Sequence, residues 1–326
     1  MIVVQTPLRI SFLGGGTDFD DFYKDHGGAV LSTAINKCVY VIVKERFDDM
    51  IYVNYSHKEI AEHVDQLQHE LVRETMKKTG VDKAVEITTL ADVPSEGTGL
   101  GSSGAITVGL LQSLYAYRGQ TVTARKLAEQ ACQIEIDILG KPIGRQDQYI
   151  SAFGNMQYIT FSNDGIEFEK IDIPPEAKRK LNRSFLLFYT GKTRKADEIL
   201  SEQKSNIQRN IAALSEMKAL AQEARKAVLE GNFDELGLLL HRSWHLKKEL
   251  ASRVTNSDID RIYKAALDAG AMGGKIAGAG GGGFLLLYCT NGRQDDVRMA
   301  LKKLRELPFR FQSDGSKVIF NYRSEE

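Results

Sequence analysis

The chain has 326 residues, enough for about two domains. Its 42% hydrophobic and 26% charged content belongs to a soluble globular protein and excludes a disordered or collagen-like chain. Lys plus Arg and Asp plus Glu both total 43, and that neutral balance argues against a dedicated nucleic-acid or anionic-membrane binder.

In chain order, residues 3–12, 39–43, 51–53 and 85–90 are rich in β-branched side chains and read as strands. Residues 59–79 read as a helix ending at Gly80. A mostly apolar helix is expected over 105–117, and another from about Thr123, where Leu127, Ala131, Ile134 and Ile138 share one helical face. Residues 156–161 and 166–171 form a hairpin pattern across Asn163-Asp164-Gly165. Composition shifts at Pro174-Pro175, the candidate domain junction. Beyond it come a strand over 185–189, helical stretches near 194–229, 233–251 and 256–269, a strand over 284–288, a helix near 293–306 and a last strand over 317–321. Helices grouped beside a few strands make this second part α+β. Cys38, Cys132 and Cys289 lie far apart and form neither a disulfide framework nor a zinc site. Free thiols and the lack of a leader-like start point to a cytoplasmic protein.

Glycine is the compositional outlier, with 29 residues that cluster. Gly14-Gly15-Gly16-Thr17-Asp18 follows a strand, and Gly97-Thr98-Gly99-Leu100-Gly101-Ser102-Ser103-Gly104 lies between a strand and a helix. Gly278-Ala279-Gly280-Gly281-Gly282-Gly283 precedes a strand. A glycine loop leading into a helix offers free N–H groups and the positive end of the helix dipole, which suit a phosphate. One such cluster reads equally well as a tight turn; three make phosphate binding the better reading. The second loop lacks the Gly-Lys-Ser/Thr of a Walker A motif. It matches the dinucleotide pattern GxGxxG over residues 99–104, but no strand ending in an acidic residue follows the helix, so a dinucleotide enzyme is the weaker alternative.

Residues 94–103 resemble the central ATP-binding motif of the GHMP kinases, the family of galactokinase, homoserine kinase, mevalonate kinase and phosphomevalonate kinase. Residues 7–18 resemble the family's first motif and residues 275–283 its third, in the family's order. The triple glycine before Thr17-Asp18 is most similar to the D-glycero-D-manno-heptose 7-phosphate kinases and related bacterial sugar 1-kinases. The resemblance implies a two-domain α+β fold. Its parts are a ribosomal-protein-S5-like α/β domain over 1–178 and a ferredoxin-like domain over 179–326, with the active site between them. It also implies ATP and magnesium, a small-molecule sugar or sugar phosphate as partner, no nucleic acid or membrane, and leaves room for a homodimer.

Phosphoryl transfer needs a triphosphate cradle, a metal, a group at the accepting hydroxyl and positive charge. The cradle is Pro94, Gly97, Gly99, Leu100, Gly101, Ser102, Ser103 and Gly104. The two serines reach phosphate or metal, or cap the helix. Glu135 borders the apolar face traced above, so its carboxylate needs a partner: a Lys or Arg by spacing alone, magnesium by the family's pattern, with Ser103 as second ligand. Asp147, followed by Gln148, stands where the family carries its base, although an aspartate in such a loop also caps turns. Arg9 falls at the family's Lys/Arg position in the first motif, poised to steady the transferred group; otherwise it is a surface arginine at a strand end.

The Thr17-Asp18 pair is implied as sugar reader, and Gly280 and Gly281 are assigned to substrate as well. Gly14-Gly15-Gly16 replaces the Glu-His pair that galactokinase carries there, which disfavours galactose. Arg194, with Lys192 and Lys195, is either an anchor for a phosphate carried by the substrate or solvated charge. His241 and His245 pack beside Trp244 rather than bind metal, and Cys132 is core. The expected activity is ATP-dependent phosphorylation of the anomeric hydroxyl of D-glycero-D-manno-heptose 7-phosphate. The alternatives are a kinase for another C1 hydroxyl such as that of L-fucose, or a non-catalytic relative.

Overall fold

The structure, a computed structural model, describes residues 1–94, 97–192, 196–290 and 292–322. β1 (Ile2–Leu13) and the 18-residue β2 (Gly28–Glu45) pair antiparallel along almost their whole length, with a glycine turn and α1 (Asp20–His26) between them. Val39, Val41 and Val43 are buried and alternate with more exposed neighbours, the period-2 signature of a strand with one face on a core. The free edge of β2 takes two partners. Its second half pairs with β5 (Val85–Ala91), reached through β3 (Ile51–Asn54), β4 (Lys58–Ala61) and α2 (Glu70–Thr79). Its first half pairs with β6 (Met156–Ser162), which follows α3 (Ser102–Tyr117), α4 (Ala124–Cys132) and α5 (Gln146–Phe153) and turns back as β7 (Gly165–Lys170). β3 and β5 pair in parallel.

The remaining chain runs α6 (Pro175–Ser184), β8 (Phe185–Tyr189), α7 (Ala196–Ser205), α8 (Ile211–Leu229), α9 (Phe233–Glu249) and α10 (Ser257–Asp268). It continues through β9 (Ala271–Ile276), β10 (Phe284–Cys289), α11 (Gln294–Ala300), β11 (Arg305–Glu306) and β12 (Lys317–Asn321). Strands 8 to 11 form a second, antiparallel sheet in the order β11-β8-β10-β9. The two-sheet, helix-covered architecture is α+β. The boundary expected between residues 178 and 179 falls inside α6, and β12 leaves the second sheet to pair with β1 in the first. One core joins both sheets. Phe12 of β1 stacks on Phe185 of β8 at 5.0 Å and meets Phe311 edge-on at 6.0 Å. Removing a ring such as Phe12, fully buried, costs about 3–5 kcal/mol.

Several local expectations need correction. Residues 59–79 are not one helix: the segment opens as β4, because Lys58–Ala61 pairs with β3, and only Glu70–Thr79 is helical, stopped by Gly80 in the left-handed region. The helix beginning after Thr123 widens into a π-helical stretch over Gln133–Ile138. The wider turn rotates the apolar face, so Leu127, Ala131 and Ile134 are buried while Ile138 is 51% exposed. β9 carries no strand pattern in the sequence, since its two glycines hide it. Among the described residues, no helix is long and apolar enough to cross a membrane.

Candidate active site

Three chain segments far apart in sequence meet at the C-terminal half of β1. The Arg9 backbone N–H donates to the Leu100 carbonyl at 3.0 Å, fixing the second glycine loop beside the strand. The Arg9 side chain, 6% exposed, forms a fork on Asp147: Nε to Oδ1 at 2.6 Å and Nη2 to Oδ2 at 2.6 Å. Its Nη1 donates to the Gly99 carbonyl at 2.7 Å. Arg9 is therefore not a surface arginine, and Asp147, in the first turn of α5, does not serve as a turn cap. The close approach needs glycines. A Cβ on Gly101 (φ +78°) would lie 3.0 Å from Arg9 Cγ and 3.2 Å from Asp147 Oδ2, and one on Gly104 would lie 3.1 Å from Asp147 Cβ.

Gly101, not a serine, is the N-cap of α3. The first intrahelical bond runs from Ala105 N–H to the Gly101 carbonyl, so the amides of residues 102–104 precede the helical ladder. The Ser102 and Thr98 hydroxyls are buried and have no partner among the described residues. Ser103 Oγ donates to Glu135 Oε2, and Gln148 Nε2 donates to Glu135 Oε1 at 2.9 Å. Glu135 is fully buried, and the salt bridge that spacing alone favours does not form among the described residues. Burial pushes its carboxyl above the ordinary range, opposed by the Ser103 and Gln148 hydrogen bonds.

No group of three or more His, Cys, Asp or Glu side chains gathers as a metal cage among the described residues. A single buried carboxylate beside the Ser103 hydroxyl, with an orphaned hydroxyl at Ser102, fits magnesium, which fills its shell with phosphate oxygens and water.

On the other side of Arg9 lies a narrow pocket walled by Ser11, Asp18, Gln146, Asp147, Gln203, Lys247 and Lys275. Asp18 is 2% exposed and accepts from Gly16 N–H at 2.9 Å and from the Gln146 side chain at 3.0 Å. Burial raises its carboxyl. The Ser11 hydroxyl and Gln146 Oε1 are buried and have no partner among the described residues, which suits a polyhydroxy ligand. Thr17 does not face the pocket. Its hydroxyl is shared between the carbonyls of Gly14 in the turn at 2.8 Å and Ala29 on β2 at 3.0 Å, so it braces the turn against the strand.

The third glycine loop meets this pocket through Gly278 and Ala279. Gly280 and Gly281 turn away from it, with Gly281 N–H on the Val254 carbonyl at 2.6 Å. The loop also buttresses the second: a Cβ on Gly99 (φ +77°) would lie 2.3 Å from the Ala277 carbonyl oxygen. A larger cavity of about 790 Å³ opens on the far side of Ser103, lined by Tyr55, His69, Thr89, Pro94, Ile106 and Lys141 among others.

Of the expected phosphate anchor, Lys192 pairs with Asp258 at the surface, and Arg194 and Lys195 lie outside the described residues. His241 bonds the Tyr263 hydroxyl at 2.8 Å and packs on His245, as expected of a structural pair. Nothing local in the sequence marks Lys275 or Lys247 as a site residue, although Lys247 continues the buried face of α9 set by Phe233, Leu236, Leu240 and Trp244. Lys275 sits within the third motif itself.

Residues 54–155 match the family described as GHMP kinases N terminal domain, and residues 224–306 match GHMP kinases C terminal; together they take in more than half of the chain. The chain is 29% identical to a D-glycero-alpha-D-manno-heptose 7-phosphate kinase of Campylobacter jejuni, over 97% of this chain and 98% of that protein. It is 26% identical to a galactokinase of Pyrococcus furiosus, over 95% and 94%. The crystal structure of a D-glycero-D-manno-heptose 1-phosphate kinase from Bacteroides thetaiotaomicron superposes with a TM-score of 0.83 at 26% identity, covering 99% of this chain and 100% of that one. These matches displace the dinucleotide-enzyme alternative.

Proposed function

The chain belongs to the GHMP kinase family and is an ATP-dependent sugar kinase, and on that premise we propose that it phosphorylates the anomeric hydroxyl of D-glycero-D-manno-heptose 7-phosphate to give the 1,7-bisphosphate. The observation that carries the reading is the Arg9 fork, bonded at once to the Asp147 carboxylate and to the Gly99 carbonyl of the phosphate loop. It ties a proton acceptor to the nucleotide side of the site. The Campylobacter relative's name supports the choice of heptose.

In this reading the triphosphate lies on the glycine loop and the first amides of α3, with the base in the larger cavity. Asp147 takes the proton of the accepting hydroxyl, and the Arg9 fork holds its carboxylate in a fixed orientation toward the pocket. Asp18, Gln146 and Ser11 bind sugar hydroxyls: Asp18 as acceptor, Gln146 Oε1 as acceptor, Ser11 as donor or acceptor. Glu135 and Ser103 are the residues that would hold magnesium, which neutralises phosphate charge when bound. Burial of the pocket walls excludes water that would otherwise accept the phosphoryl group.

The test is ADP release from ATP and magnesium with a panel of heptose 7-phosphate, the unphosphorylated heptose, L-fucose and galactose. The proposal expects turnover on the heptose phosphate at least about tenfold above every other sugar. Faster turnover on L-fucose or galactose overturns it.

A further inference from the structure

The Arg9–Asp147 pair has no net charge, and three of the five Arg9 N–H donors are already committed to Asp147 and Gly99. Phosphoryl transfer nevertheless passes through a state whose negative charge is spread over the moving group's three oxygens and the leaving oxygen. Two lysines line the same pocket. Lys247 is bonded to the Gly278 carbonyl on the third loop. Lys275 stands on the same wall, and Arg9 and Asp18 are the charges that act on its ammonium.

Lys275 reaches across from β9 and is 2% exposed. Its ammonium donates to the carbonyls of Ser11 at 2.9 Å and Phe12 at 3.0 Å, two and three residues beyond Arg9 on β1. That leaves one of its three N–H donors. Among the described residues no carboxylate lies in ion-pair contact with it, and Asp18 is held by Gly16 and Gln146 instead. A buried ammonium without a carboxylate is costly, and an anionic ligand offsets that cost.

We propose that Lys275 is a second cationic contact for the phosphoryl group in transfer, supplying the net positive charge that the neutral Arg9–Asp147 pair does not. The proposal rests on the reading of Asp147 as base. In the step, the acceptor oxygen bonds the γ-phosphorus as the bond from that phosphorus to the β,γ-bridging oxygen breaks. ADP keeps that electron pair, the hydroxyl proton passes to Asp147, and Lys275 exchanges no proton.

Burial and the charge of Arg9 pull the Lys275 ammonium down to about 7, with Asp18 opposing. Asp147 of α5 lies behind Arg9, and Lys247 of α9 stands on the same pocket wall. Near neutral pH the free enzyme therefore holds only part of this charge, and an arriving phosphate restores it.

The test uses full-length enzyme with Lys275→Met and Lys275→Arg, assayed with ATP, magnesium and heptose 7-phosphate from about pH 6 to about pH 9. Lys275→Met is expected to lower kcat about 100-fold and to raise KM for ATP as well, since the same ammonium meets the bound phosphate. In the wild type, kcat/KM falls as pH rises through about 7, and kcat falls only at higher pH. In Lys275→Arg, always charged, both alkaline limbs vanish. If the methionine variant does not fold by thermal melt, the arginine profile alone decides. A methionine variant within about threefold of wild-type kcat, a flat wild-type profile, or an alkaline limb unchanged in Lys275→Arg overturns the proposal. Asp147→Asn is run in parallel. If it keeps wild-type kcat, the base assignment itself fails; if it is dead while Lys275→Met is fully active, only the role of Lys275 fails.

Discussion

Arg9 and Asp147, 138 residues apart in sequence, share two parallel hydrogen bonds of 2.6 Å, and the same guanidinium holds the Gly99 carbonyl at 2.7 Å. The geometry couples the phosphate loop to the proposed base through one side chain. A fork of this kind is specific to arginine, because a lysine ammonium cannot make the two parallel bonds. Stability measured by denaturant for Arg9→Met, Asp147→Asn and the double variant should give a coupling of about 1–3 kcal/mol, since each single change strands the other partner in a mostly buried place. Additive losses would show that the pair is not formed in solution. In activity, Asp147→Asn should lower kcat by about 10²–10⁴ without a matching rise in KM for either substrate.

Gly144 tests the sugar side without touching a polar group. A Cβ there would lie 2.0 Å from Asp18 Oδ2, so Gly144→Ala must push the carboxylate aside. KM for the sugar should rise at least about tenfold while KM for ATP stays within about threefold, read by initial rates. Equal changes in both would place Asp18 outside sugar binding.

Glu135→Gln separates burial cost from metal binding. The Glu135 carboxyl is raised in the folded protein by burial. Its contribution is therefore fully present below the unfolded value of 4.5 and is lost as pH rises through the folded value. The isosteric amide escapes that loss. Its stability relative to wild type should increase from about pH 4.5 upward, as measured by urea melts across pH. The magnesium concentration for half-maximal activity should rise at least about tenfold. An unchanged magnesium requirement would remove Glu135 from the metal site.

Gly99→Ala addresses the contact between the second and third loops. The position has φ +77°, and the added Cβ would meet the Ala277 carbonyl oxygen at 2.3 Å. A loss of about 1–3 kcal/mol in the denaturant midpoint analysis is expected, together with weakened ATP binding by calorimetry. A stable variant with normal ATP affinity would mean that the loops do not brace each other.

The sequence made legible what local chemistry writes locally. The three glycine loops, Asp147 before Gln148 and a helix after the second loop follow from residues close in the chain, although that helix starts at Ser102 rather than at the expected residue 105. Other features depend on contacts across long separations and left no local trace. β12 joins β1 from the other end of the chain, where Ser316 Oγ meets Thr6 Oγ1 at 2.7 Å. Thr17 looked like a sugar ligand beside Asp18, yet its hydroxyl is drawn inward by the Ala29 carbonyl on β2. Ile138 left the buried face because the π-helical turn inserts a residue that a strict helical period does not contain. Lys275 carried no signal of burial, since only the fold brings β9 under the end of β1.

The central claim is that the accepting hydroxyl is anomeric and gives up its proton to Asp147. ³¹P NMR of a reaction containing ATP, magnesium and D-glycero-D-manno-heptose 7-phosphate tests it most directly. One new phosphorus signal coupled to the C1 proton is expected, formed in step with ADP and absent when Asp147→Asn replaces the wild type. A phosphorylated product at any other carbon, or the same signal formed at an undiminished rate by Asp147→Asn, would contradict it.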